Sequence, residues 1–150
     1  CLHRQGVPRM DNLIFERVWQ DGDLFEIEVT AQSEHVRART KTYCTKEGIS
    51  PLSEVLAAFP RSPNDSYLWE NGDKGDAYPP YVSLRFYCKD RAGHIGVEVF
   101  MEIDDGGSLD RHHCCFELSA EAGMLNRFGR ALRHVTEPVV GMRVELQLRD

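Results

Sequence analysis

A segment in the middle of the chain alternates apolar and polar side chains on both sides of a glycine-containing turn. With the turn placed at residues 90–93, apolar residues face one another across one side of the hairpin. On the other side Arg85 faces Glu98, a favourable charge pair, and Tyr87 faces Gly96, where the ring covers bare backbone. A slip of one residue would turn every apolar side chain to the opposite face, so a single register is predicted. The apolar pairs are Cys88–Ile95, Phe86–Val97, Leu84–Val99 and Val82–Met101.

Other parts of the chain show the same two-residue period, which predicts further strands. The first two alternating segments are joined around Asp21-Gly22-Asp23, a hairpin signal. The third carries Arg37, Arg39 and Lys41 on one face, where nearby glutamates on the same sheet would pair with them. These further segments are residues 13–20, 24–31, 35–44, 67–70, 111–118 and 142–149.

Two segments instead have helical periodicity, with apolar residues three and four positions apart. The first helix is predicted to begin with Ser50 as its N-cap and Pro51 at its first position, and to end before Pro60. The second is predicted over 120–135, with Ser119 as its N-cap. Its two glycines weaken it by about 1 kcal/mol each relative to alanine, so it depends on packing. The apolar stripes are Leu52, Val55, Leu56 and Phe59, and Leu125, Phe128, Leu132 and Val135.

The order of these elements predicts an α+β fold. We expect a largely antiparallel, twisted sheet of about seven to eight strands with two helices packed on its apolar face, because the strands alternate rather than being apolar throughout. Residues 10–150 are expected to form one domain. Residues 1–9 precede the first patterned segment and are interpreted as a disordered extension or a remnant of cloning.

Charge and composition limit the classes of partner. The formal net charge is −6, which disfavours nucleic-acid binding because that affinity comes largely from Lys and Arg. The same charge suits a basic protein partner, although solubility alone also explains it. No apolar run is long enough to cross a membrane. Five cysteines without a CxxC pair favour reduced thiols and a cytoplasmic location. The oligomeric state stays open.

The stretch RHHCCFEL places two histidines beside two cysteines, which are common metal ligands. In a strand, His112 and Cys114 would share the core face with Phe116, whereas His113 and Cys115 would point the other way. These residues therefore cannot converge on one ion while the strand stays regular. Cysteines buried as small hydrophobes explain the pattern, so no metal site and no cofactor are predicted. The remaining possible ligand set on the core face is His112, Cys114, Cys88 and Cys44.

The connection 60–80 is long for a small domain and combines aromatic with acidic side chains. Aromatic anchors surrounded by carboxylates suit recognition of a basic protein surface. A solvated cluster of turns is the alternative, since Asn71–Asp76 lacks the spacing of a calcium loop. The predicted partner-binding residues are Trp69, Glu70, Asp73, Asp76 and Tyr78.

No catalytic residue is assigned, because nucleophile, zinc-protease and phosphate-loop motifs are missing from the sequence. No histidine lies beside a carboxylate at a spacing that identifies a general base. The chain is therefore expected to be a non-enzymatic binding module. The alternatives are a small hydrolase that uses His113 or His94 on the charged sheet face, and a domain that holds a ligand between sheet and helices.

The runs LRFYCKDRAGHIGVEV and CCFELSAEAGMLNRFGRALR resemble those of small bacterial proteins similar to the immunity proteins of polymorphic toxin systems. The resemblance covers roughly residues 81–135. It rests on the hairpin and the last helix, which are structural motifs, so no functional residue is carried over. The resemblance implies a cytoplasmic inhibitor of a bacterial toxin.

Overall fold

A computed structural model describes residues 11–74, 79–104, 106–107 and 112–147. Over these residues the chain forms eight strands and two α-helices, which confirms the α+β class. The proposed N-terminal extension, residues 1–9, lies outside the described residues. The elements are β1 Asn12–Asp21, β2 Leu24–Gln32, β3 Arg37–Cys44, α1 Lys46–Ala57, β4 Ser66–Asn71, β5 Val82–Cys88, β6 His94–Glu102, β7 His113–Glu121, α2 Ala122–Leu132, a 3-10 helix Arg133–Thr136 and β8 Arg143–Glu145.

The strands divide into two antiparallel sheets within the described residues. Sheet I has the order β3-β2-β1-β8, and sheet II has the order β4-β5-β6-β7. The predicted hairpin turn at Gly22 is present, with a positive φ of 62° that glycine adopts readily. A bulge between Arg17 and Trp19 shifts the register of β1 against β2. Alternation predicts that strands pair antiparallel, but it carries no information on where one sheet ends.

The predicted register of the β5–β6 hairpin is confirmed at every pair, from Val82 opposite Met101 to Cys88 opposite Ile95. The Arg85 Nη1 atom lies 3.0 Å from Glu98 Oε1. The Tyr87 ring covers Gly96 closely enough that a Cβ there would lie 2.4 Å from ring carbons. Packing of the ring on this glycine and the charge pair therefore both favour the same register.

Both helices begin elsewhere than predicted. Helix α1 begins at Lys46 with Thr45 as its N-cap, so Pro51 lies inside it and the assignment of Ser50 as N-cap is wrong. The earlier start brings the buried Ile49 into the apolar stripe. Ser119 is also not an N-cap, because β7 continues through its pairing with β6 and the cap of α2 is Glu121. Backbone pairing of β7 with β6, in which Ser119 lies opposite Gly96, overrides the local N-cap preference here.

The predicted apolar stripe of the last helix is confirmed, since Leu125, Phe128, Leu132 and Val135 are all fully buried. One hydrophobic cluster joins them to inward side chains of both sheets and of α1. Phe15 on β1 connects these layers. Its ring centroid lies 5.4 Å from that of Trp69 on β4 and 5.8 Å from that of Phe128 on α2. The helices and the two sheets therefore share one core.

The two helices approach each other closely at Gly129. A Cβ on this residue would lie 2.5 Å from the backbone nitrogen of Ala57. The Ser53 hydroxyl donates to the Gly129 carbonyl at 2.6 Å, and the Asn126 amide donates to the carbonyls of Leu56 and Phe59. Glycine is thus required at this position by packing, although it weakens the isolated helix.

Candidate functional site

The outward side of sheet II, which we call the open face, carries side chains that are exposed or half-buried. The strand period places alternate residues of β4 to β7 on this side, while the residues between them enter the core. Leu68 is 51% exposed here, in contrast to the buried apolar residues on the inward side. The residues of the open face used below are Leu68, Glu70, Ser83, Arg85, Tyr87, Glu98, Phe100, His113, Cys115 and Glu117.

An aromatic row crosses one end of the open face. The ring of Phe100 lies 5.8 Å from that of Tyr81 and stacks on the imidazole of His113 at 5.4 Å. The ammonium nitrogen of Lys74 lies 4.5 Å from the Phe100 ring centroid. The Tyr81 hydroxyl donates to Glu70 Oε2 at 2.6 Å, and burial raises the pKa of this tyrosine, helped by that bond. Aromatic rings, a cation and a carboxylate are therefore held together in one place.

A charged row lies next to the aromatic row. Glu98 is directly opposite Glu117 across β6 and β7. Arg85 contacts Glu98 at 3.0 Å, and Lys89 Nζ lies 3.4 Å from Glu117 Oε2. Like charges directly opposite one another are destabilising, so the two cations offset this repulsion. They are exposed pairs, whose individual stabilisation is small.

The open face contains part of the predicted partner-binding set. Glu70 lies on it, and Asp73 is exposed just beyond β4. Trp69 does not lie on the open face. It is 3% exposed and points into the core, so its assignment as an exposed anchor is wrong. Its indole nitrogen donates to the Gly48 carbonyl at 2.8 Å. Asp76 and Tyr78 lie outside the described residues.

The histidine–cysteine stretch is divided between two faces, as predicted for His113, Cys114 and Cys115. His112 is exposed and precedes β7, so its placement on the core face is wrong. No group of metal-binding side chains occurs within the described ranges.

The alternative core ligand set is not assembled. Cys88 pairs with Ile95 at one end of sheet II, and Cys114 pairs with Met101 at the other, about 20 Å along β6. Cys44 lies in sheet I, where burial raises the pKa of its thiol to about 12. The inward cysteines therefore serve as separate, protonated core side chains.

Two histidines of the described residues are hydrogen-bonded to carboxylates, contrary to the expectation from sequence. His94 Nδ1 is 2.5 Å from Asp90 Oδ2, and His134 Nδ1 is 3.0 Å from Glu137 Oε1. Hydrogen bonds from His94 and from the Ala92 amide lower the pKa of Asp90. The sequence signal for the first pair is the spacing of Asp90 and His94 on either side of the hairpin turn, because the turn brings the two side chains together. Both pairs are exposed.

Arg17 is a buried cation that the sequence pattern did not single out. It is 3% exposed, and its guanidinium carbon lies 4.1 Å from the Phe25 ring centroid. Nη1 donates to the Val135 carbonyl at 3.0 Å, and Nε donates to Gln20 Oε1 at 2.9 Å. Burial lowers the pKa of this guanidinium. The hydrogen bond to Val135 connects the 3-10 helix to β1, so the role of Arg17 is structural.

The hydrogen bond from Tyr87 to Glu117 predicts an unusual titration. That bond raises the pKa of Tyr87 from 10.0 to about 12. Because the folded-state pKa is raised, the bond stabilises the fold fully below pH 10 and ceases to do so between pH 10 and about 12. We expect Tyr87→Phe to remove the highest-pH step in the ultraviolet absorbance titration of tyrosinate. Glu117→Gln should move that step to lower pH, and persistence of the step in Tyr87→Phe would contradict the assignment.

Within the described residues, no helix is both long and apolar enough to cross a membrane. No protein-family model, curated protein or solved structure matches this chain.

Proposed function

We propose that this protein is a binding module whose open face recognises a basic protein surface. The observation that carries the proposal is the row formed by buried Tyr81, half-buried Phe100 and exposed His113, beside the carboxylate of Glu70. Aromatic residues are enriched in the cores of protein interfaces, because rigid rings bury a large area at low entropic cost. A rim of charge around such a row provides orientation and specificity.

The preference for a basic partner rests on charge. The facing carboxylates of Glu98 and Glu117 contact Arg85 and Lys89, and Glu117 also accepts a hydrogen bond from the Tyr87 hydroxyl. A cation from a partner above the sheet would relieve the remaining repulsion between them. The net charge of −6 would also accelerate encounter with a basic protein. The specific form of the proposal is an immunity-type inhibitor, in which the bound protein is a bacterial toxin.

Positive charge introduced on and beside the open face tests the proposal. In Leu68→Arg combined with Asp73→Lys, both changed side chains are exposed, so the fold should persist. We expect the amount of partner captured from the native host to fall at least about tenfold, because each change places like charge against a basic partner. Thermal unfolding checks that the variant is folded.

The matched control is Trp19→Ala, which removes a 42% exposed aromatic side chain from sheet I. Capture should be unchanged in this variant. A partner that binds the double variant as tightly as the wild type would refute the proposal, and an acidic partner would refute the charge argument.

The second candidate function is a hydrolase, favoured by the contact between His94 and Asp90. A carboxylate on Nδ1 fixes the imidazole tautomer and leaves Nε2 as a base. Assays with ester and phosphodiester probes separate the two candidates. An activity of the wild type that His94→Gln abolishes would establish hydrolysis, while the same variant leaves the open-face interaction unchanged if the protein is a binding module.

A further inference from the structure

The outer edge of β3 carries backbone hydrogen-bonding groups that β2 does not use. In sheet I, β3 is the terminal strand and pairs with β2. The Tyr43 carbonyl points away from β2 and accepts a hydrogen bond from Asn71 Nδ2 at 2.9 Å. By the two-residue period, the N–H and C=O groups of Arg37, Arg39 and Lys41 point outward as well. Such an edge is a template for another strand.

The side chains along this edge are not all paired, contrary to the simplest interpretation of the basic stripe. Lys41 lies opposite Glu28, as cross-strand pairing predicts. Arg37 lies opposite Gln32 and Arg39 opposite Thr30, which are both neutral. Within the described residues neither arginine makes an ion pair. Two exposed cations, two residues apart, therefore lie along the edge without an ion pair to any described residue, although Asp104 lines the same groove as Arg39.

A groove of about 450 Å³ runs beside the same edge. Thr40 contributes to its wall, is 4% exposed, and has a hydroxyl oxygen without a hydrogen-bond partner in the described part of the chain. A buried hydroxyl without a partner costs free energy that a new neighbour could recover. The lining residues are Glu28, Arg39, Thr40, Lys41 and Asp104.

We propose that β3 binds an extended acidic segment of another protein by antiparallel strand addition. The segment places carboxylates opposite Arg37 and Arg39, with a small residue between them opposite Ala38. A hydroxyl residue, immediately before the carboxylate that faces Arg39, lies opposite Thr40 on the core side. The main-chain bonds provide affinity and the alternate side chains provide specificity. At Lys41 the segment carries a neutral residue, because Glu28 lies directly opposite Lys41 on β2.

The charge pattern selects this occupant over a second copy of the chain. Antiparallel pairing of two β3 edges would bring the basic residues of each copy against those of the other, and like charges directly opposite are destabilising. An acidic strand has the complementary pattern. This site is separate from the open face, so its ligand is a different one from the basic partner proposed above.

Binding of fluorescent peptides tests strand addition directly. The probe is a short peptide with Thr-Glu-Ala-Glu at its centre, and the control has Thr-Lys-Ala-Lys in its place. We expect the control to bind at least about tenfold more weakly in fluorescence anisotropy. The double variant Arg37→Gln with Arg39→Gln should weaken binding of the acidic peptide by a similar factor. Arg91→Gln changes an exposed arginine on a turn of sheet II and should leave binding of this peptide unchanged.

Backbone methylation distinguishes strand addition from simple charge attraction. In antiparallel pairing the N–H groups of the two glutamates face β3 and that of the threonine faces away. Methylating a glutamate nitrogen should weaken binding about tenfold, while methylating the threonine nitrogen should change it less than about twofold. Equal effects of the two methyl groups, or no binding of either peptide, would overturn the proposal. Peptide binding should survive Leu68→Arg with Asp73→Lys, so failure of one proposal leaves the other testable.

Discussion

Replacing Gly129 by alanine is expected to lower the free energy of unfolding by about 2 kcal/mol, as overpacking of a core typically does. The new Cβ would lie 2.5 Å from Ala57 N and 2.7 Å from the Leu56 carbonyl carbon. Both are backbone atoms of α1, so a helix has to move rather than a side chain. That movement would also lengthen the 2.6 Å bond from Ser53 to the Gly129 carbonyl. The gain of about 1 kcal/mol in helix propensity does not compensate for these losses.

Gly123→Ala is the matched control on the same helix, and its effect on the free energy of unfolding should have the opposite sign. A Cβ at this position would lie 3.9 Å from Nη1 of Arg127, the end of a flexible side chain. With space available, the substitution should raise the free energy of unfolding by about 0.5–1 kcal/mol through helix propensity and reduced unfolded-state entropy. Urea denaturation of both variants measures the difference. Effects of the same sign would mean that the two helices do not approach closely at Gly129.

Trp69→Ala should have the largest effect of all, a loss of about 3–5 kcal/mol of stability, as for other buried aromatic truncations. The substitution removes a ring 5.4 Å from that of Phe15 and leaves a cavity where β4, β1 and α1 meet. It also leaves the Gly48 carbonyl without the indole donor that now lies 2.8 Å away. Chemical denaturation measures the loss.

The neighbouring Leu68→Ala is the control, because it lies on the open face and is 51% exposed. Its effect on stability should stay within about 0.5 kcal/mol, as for most surface substitutions. If Trp69→Ala instead folded with unchanged stability and lost partner binding, Trp69 would be an interface anchor, as the sequence pattern indicated, and not a core residue.

The position of Trp69 illustrates why the sequence predicted a site only in part. In β4, Tyr67 and Trp69 share one face while Leu68 and Glu70 share the other. Both faces carry apolar side chains, so alternation does not decide which of them enters the core. The neighbours that decide it, Phe15 and Gly48, come from distant parts of the chain. The same is true of the aromatic row, which joins residues from separate strands.

By itself the sequence determined the features that depend on neighbouring residues: the strand segments, the apolar stripe of the last helix, and the β5–β6 register. Each follows from side-chain period, and a shifted register would expose many apolar groups at once. Only the tertiary structure decided how the strands divide into two sheets, where α1 begins, and which outward residues meet on the open face and at the β3 edge. These features depend on contacts between segments far apart in the chain, which local periodicity does not encode.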